Sequence, residues 1–262
     1  MAYRIDLSSC WAKVHQANRH RQTLKGKLGE FVWDEAPIFR DKTNRVGIVA
    51  KLDPKTTPEV HVVRIATIPD KLLALLAMEV GDAVHNLRTA LDHLAWQLAL
   101  ERYAGRPPSK PEEVYFPIAE SATKFKGLRT IAHFDPARTK RLRLLQPYNS
   151  PDGRVIRALH KLDIRDKHRL LIRFYLDVEG FTPFPARAHM VALFLERLQR
   201  RWRGIEVGTK IGYMGFDPTD PNFRAEMKSD LVPRVLLPRY GRPVEWLARA
   251  IVAVGKAIEA FE

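Results

Sequence analysis

A mainly α fold of the α+β kind is predicted: a helical bundle around one long central helix, with a β-hairpin after helix 1 and a small late β element. Three observations predict it. A leucine- and alanine-rich run extends from Pro69 to Gly105. Two β-branched runs, residues 44–50 and 59–66, flank a connection punctuated by Asp53-Pro54-Lys55 and Thr57-Pro58. After Pro243, Leu247, Ile251, Val254, Ile258 and Phe261 step along one helical stripe. The chain reads as a single domain over residues 1–262. Residues 1–175 form a helical core carrying the hairpin 44–66, and residues 176–262 form a C-terminal α/β extension.

Each element has a local reason. Helix one is expected from Leu7 to about Val32, capped by Ser8 or Ser9, with Gly26 and Gly29 as early stop signals. Gly47 marks a bulge in the first strand. Pro69 is well placed to start the long helix. That helix would run about 34 residues, or ~50 Å, so it needs neighbours along most of its length. A proline-rich loop, residues 105–121, is followed by short helices over 121–129 and 136–146. The second of these ends at Gln146-Pro147-Tyr148. A helix over 153–162 leads to a charged corner, Lys161 to Leu171, and then to a strand over 171–176. Pro183 and Pro185 bracket a turn, and 186–202 reads as a helix. Strands over 205–213 and 231–237 follow. Pro233 restricts the latter to a sheet edge.

Composition narrows the function classes. Lys and Arg number 44 against 30 Asp and Glu, a net charge of +14. That excess favours a polyanionic partner, RNA first, because basic side chains release counterions from phosphates. Arg138, Lys140, Arg141 and Arg143, with Arg169, are the expected nucleic-acid contacts. No stretch approaches the ~20 apolar residues of a membrane span, and the N-terminus lacks a signal-peptide plan. One cysteine, Cys10, excludes an internal disulfide. A cytoplasmic protein without a membrane partner is the expectation.

The densest chemistry lies between Gly81 and Ala99. Ala83, Val84, Leu87, Ala90, Leu91, Leu94 and Leu98 share one side of a helical wheel. Asp82, His85, Asn86, Arg88, Thr89, Asp92, His93 and Trp96 share the other. That second side holds neither Lys nor Glu. His, Asn, Arg and Asp bury well only when hydrogen-bonded, so this is a polar seam packed against something.

Arg88-Thr89-Ala90-Leu91-Asp92-His93 is an arginine, four residues and a histidine. It resembles the Arg-x(4–6)-His signature of the HEPN superfamily, α-helical domains many of which are dimeric, metal-independent ribonucleases. The resemblance implies cleavage by 2′-OH attack across a homo-oligomer interface. His93 would move protons and Arg88 would stabilise phosphate charge. His85, Asn86 and Asp92 would orient them, and Asp166, His168 and Arg169 would complete the site. The motif lies mid-helix, a departure from the pattern, and Arg88 and His93 stand ~140° apart on the wheel.

A closer resemblance is to an uncharacterised bacterial family, carried by His85 to Leu94, Phe116-Pro117-Ile118, Gln146-Pro147-Tyr148 and Asp166 to Leu171. It covers much of residues 1–175 and implies a shared fold rather than a reaction.

Two other readings fit the same residues. In one, the protein is a non-catalytic binding or scaffolding protein, and the seam is a structural ion-pair network with Asp92 and Asp166 holding Arg88 and Arg169. In the other, His85, Asp92 and His168 form a two-histidine, one-carboxylate set. No HxxxH or HExxH spacing supports a metal, and no GxSxG, GxGxxG or GxxxxGK[ST] is present, so no metal or cofactor is expected.

Overall fold

The computed structural model describes residues 3–32, 47–52, 60–67, 70–168, 172, 174–184, 210–215, 228–237 and 239–262. Among these the fold is mainly helical: α1 (Ser8–Val32), α2 (Asp70–Arg102), α3 (Ala122–Lys126), α4 (Pro136–Leu144), α5 (Pro151–His168) and α6 (Pro243–Glu259). The strands are β1 (Gly47–Leu52), β2 (Val60–Thr67), β3 (Tyr175–Phe184), β4 (Lys210–Gly215) and β5 (Lys228–Leu236). The chain divides into two compact units. One comprises Met1–Lys25, Leu76–Ile172 and Pro243–Glu262; the other comprises Gly26–Leu75 and Arg173–Arg242.

The helical unit is built on α2, which is 33 residues long. All seven apolar positions assigned to its inner side, Ala83 through Leu98, are fully buried. Ala77, Val80, Ala95 and Ala99 are buried as well, so the covered face is broader than one stripe. Small residues at these positions let neighbouring helices approach closely. α1 contributes Cys10, Val14, Ala17 and Leu24, which share one face at spacings of one turn, one turn and two turns. Burial pushes the Cys10 thiol up to about 11. α6 buries Trp246, Leu247, Ala250, Ala253, Val254, Ala257 and Ile258, again a wider face than the narrow stripe expected. The added positions are mostly alanines, which a hydrophobic count along the helix underweights.

Helix ends follow local chemistry. α1 begins at Ser8, so neither serine acts as the expected cap. Instead the Asp6 carboxylate accepts from the Ser8 amide at 2.9 Å, which holds its pKa below the usual aspartate value. The helix continues through Gly26 and Gly29 to Val32; a cost of about 1 kcal/mol per glycine does not stop it. α2 closes at Gly105, where the amide bonds to the Leu100 carbonyl at 2.8 Å. Gly105 has φ of +84°, and the Tyr3 ring lies 2.9 Å from where a Cβ would stand. Asp135 caps α4, with Pro136 in its first turn. α5 starts two residues earlier than expected, because Pro151 fits a first helical turn and the Ser150 hydroxyl accepts from the Gly153 amide at 2.9 Å. It also runs on to His168, so Asp166 sits on a helix and not at a helix–strand corner.

The other unit holds both sheets. β1 pairs antiparallel with β2, and β2 with β4, in the order β1-β2-β4. The register shift at Gly47/Ile48 lies at the glycine expected to mark a bulge. The connection 53–59 lies outside the described residues. β3 and β5 form a separate two-stranded sheet. Its first strand starts at Tyr175, not Leu171, and includes Pro183, which pairs with Ser229 and is therefore not in a turn. The late strands do not form one β element: β4 joins β2, far earlier in the chain. Pro233 stands in β5 opposite Val178, beside a register shift, in a strand with a single paired neighbour among the described residues. That is where a residue without an N–H is tolerated. The helix expected over 186–202 and the loop 216–223 lie outside the described residues.

Candidate functional site

The polar side of α2 splits into two places. Around Arg88 it meets the loop 115–119. The Arg88 side chain is 6% exposed. Its Nη2 donates to Asp92 Oδ1 at 2.7 Å, one helical turn on, and to the Phe116 carbonyl at 3.3 Å. Asp92 Oδ1 in turn accepts from the Phe116 amide at 2.9 Å. One arginine and one aspartate therefore satisfy both backbone groups of a buried phenylalanine.

The rest of that loop is held the same way. The Tyr115 amide donates to Thr130 Oγ1 at 3.2 Å, and that hydroxyl donates to the Tyr115 carbonyl at 2.8 Å. Gln146, 1% exposed, accepts from the Ala119 amide at 2.9 Å and donates to the Pro117 and Leu142 carbonyls at 3.0 Å each. Buried backbone polar groups need partners, and an irregular loop has no ladder to supply them. Side chains from α2, from the turn at Thr130 and from the turn that follows α4 supply them here. The Phe-Pro-Ile and Gln-Pro-Tyr motifs are thus two halves of one clamp.

The second place is the contact of α2 with α5. His85 Nδ1 lies 3.3 Å from Asp163 Oδ1; the imidazole is 51% exposed and the carboxylate 6%. Asp163 holds one ring nitrogen and leaves the ring half in solvent. Asp166 lies directly over Gly81, where a Cβ would stand 2.7 Å from its Oδ2. Burial, with Asp163 and Asp82 nearby, raises the Asp166 pKa above the usual aspartate value, and His85 opposes that rise. A carboxyl with a raised folded pKa binds protons more tightly in the native state than in the unfolded chain. Its penalty is absent below the unfolded value near 3.8 and grows as pH rises to the folded value. Asp166→Asn is therefore expected to be at least as stable as the parent at pH 7, an advantage that disappears at pH 3, where the parent's carboxyl carries no penalty. Urea melts at both pH values test this, and a loss of stability at pH 7 would refute it.

The remaining predicted residues are distributed as follows. Asn86 Nδ2 donates to the Asp82 carbonyl of its own helix at 2.8 Å. His93 is half-buried, and its Nδ1 has no hydrogen-bond partner among the described residues; nor does Arg88 Nη1. The side chain of His168, and Arg169 altogether, lie outside the described residues. On α4, Arg138 grips Glu101 through two bonds of 2.8 and 2.7 Å and lies 5.9 Å from the Phe261 ring centre. Arg141 donates to the Ala260 carbonyl at 2.9 Å. Both are fastened to neighbouring segments, while Lys140 and Arg143 are exposed.

So the fold brings His85 to Asp163 and Asp166, and Arg88 to Asp92 and Phe116. Sequence reasoning missed the roles of Asp163, Thr130 and Gln146. A signal for Gln146 was present, since it opens the Gln-Pro-Tyr motif, whose proline accounts for a helix end but not for the glutamine before it.

Desolvation lowers the Arg88 pKa, opposed by the charges of Asp92 and Asp163, yet an arginine stays ionised. Among the described residues no group of three or more His, Cys, Asp or Glu could hold a metal ion, and no helix is long and apolar enough to cross a membrane. No protein-family profile matches the chain, and no match was found among curated proteins or among solved structures.

Proposed function

We propose that this chain binds a polyanion, RNA first, without cleaving it, and that its Arg/Asp seam is architectural. The observation that carries this reading is the placement of Arg88. A guanidinium that stabilises a reacting phosphate must reach it, and this one is buried with Nη2 committed to Asp92 and to the Phe116 carbonyl. The net charge of +14 supports a polyanionic partner.

A second reading is favoured by one specific observation. Arg88 Nη1 and His93 Nδ1 are both buried without partners among the described residues, and unpaired buried polar atoms are uncommon outside functional sites. On that reading the chain is a HEPN-like, metal-independent endoribonuclease acting as a dimer, with His93 as acid/base.

Incubating purified full-length protein with labelled single-stranded RNA in EDTA separates the two. Retention of RNA with no cleavage, in the parent and in His93→Ala alike, is expected. Cleavage by the parent, abolished in a folded His93→Ala protein, would establish the ribonuclease instead.

A further inference from the structure

The basic residues of α4 were the expected strand guide, yet two of them are fastened to neighbours. α5 presents a second basic edge. At 100° per residue, Arg154, Arg157, Lys161 and Arg165 fall within an arc of about 80°. Ile156, Leu159, Leu162 and Asp163 lie outside that arc, in the other half of the wheel, and are buried. The basic arc is therefore the solvent side: Arg154, Lys161 and Arg165 are exposed and Arg157 is half-exposed.

Among the described residues, acidic groups do not cancel this edge. Of the three aspartates on α5, Asp152 pairs with Lys256 at 3.3 Å. Asp163 engages His85, and Asp166 lies over Gly81. The acidic group that does touch the edge is Glu120, which accepts from Arg157 and lies 3.4 Å from Lys124 and 3.9 Å from Lys161. Arg154 to Arg165 spans about 16 Å along the axis, or about four to five stacked nucleotides at ~3.4 Å each. Ile164, 43% exposed, borders the same arc.

We propose that this edge of α5 holds the phosphate backbone of single-stranded RNA, with Ile164 against a base or sugar. The inference rests on the polyanion-binding reading and assigns it a surface. An anionic membrane fits less well. A helix lying in a lipid interface offers it a broad apolar face, and the apolar face of α5 is spent inside the fold. A duplex fits less well too, because its bases are sealed from an apolar neighbour such as Ile164.

The test is fluorescence anisotropy of a labelled mixed-sequence RNA 12-mer with the full chain, titrated between about 50 and 200 mM salt. In Arg154→Ala/Lys161→Ala/Arg165→Ala, affinity is expected to fall at least about tenfold. The slope of log affinity against log salt should shrink by about 2, at ~0.7 for each phosphate no longer neutralised. Circular dichroism should be unchanged, since all three side chains are exposed. Should the triple variant misfold, each single variant should still remove about a third of that change in slope. Glu120→Gln, which releases Arg157, should tighten binding about twofold by the same counterion argument.

If the parent binds RNA and the triple variant matches it in affinity and slope, the assignment to α5 falls while the polyanion reading stands. If the parent binds no RNA at the lowest salt, both fall. Binding to phosphatidylserine-containing vesicles in place of RNA would also overturn the proposal.

Discussion

Gly153→Ala is expected to destabilise the protein by about 3 kcal/mol or more, at the upper end for overpacking. A Cβ at this position would stand 2.4 Å from the Leu145 carbonyl oxygen, 2.5 Å from the Gln146 carbonyl carbon and 2.6 Å from its oxygen. All three are backbone atoms, so no rotamer change relieves the clash. α5 would have to lift away from the turn that ends α4. That turn carries Gln146, whose side chain holds Ala119, Pro117 and Leu142, so the shift would loosen the loop clamp as well. Helix propensity argues the other way, since alanine is better than glycine in a helix by about 1 kcal/mol. The steric term wins because it opposes immovable neighbours. Chemical denaturation of the two proteins tests this; equal or greater stability in the variant would mean that α5 does not pack so closely on the turn.

Arg88→Ala is expected to cost about 3 kcal/mol. Removing one member of a largely buried ion pair leaves the other without its partner, and the Phe116 carbonyl is deprived of its donor inside the protein. Asp92 is 37% exposed, so water can reach its carboxylate and soften the penalty. Asp92→Asn should cost less than Arg88→Ala, because an amide oxygen can still accept from the Phe116 amide. A double-mutant cycle between the two, read by urea melts, should give a clear coupling energy. An unchanged melting curve for Arg88→Ala would show that the guanidinium is held in reserve for a ligand, and would favour the ribonuclease reading.

The sequence is most legible where its information is local. The buried row of α2 follows from spacing alone, because residues three and four apart share a helix face whatever lies beyond. Pro136 and Pro243 stand at helix starts for a reason each carries in its own ring. Boundaries are less legible where a weak local signal meets tertiary context. Gly26 and Gly29 do not stop α1, and α5 runs past Leu162 to His168. The polar seam is legible as residues that need partners; who those partners are is not. Spacing offers Arg88 a phosphate, Asp92 or Asp166, and in the fold it takes Asp92, its own i+4 neighbour, together with a loop carbonyl 28 residues on that no spacing indicates.

Residue type and period were enough to specify the mainly helical character of this chain, the inner face of its central helix and its strong positive charge. The folded arrangement was needed to learn that Arg88 and Asp92 satisfy Phe116, that Gln146 completes the clamp, that Asp163 takes His85 and that α5 turns a basic edge to solvent. The difference arises because a buried polar group must be paired wherever the chain has carried it. That demand is met by residues far along the chain, 78 positions away for His85 and Asp163 and 94 for Tyr3 and Gln97, through bonds to which no local pattern refers.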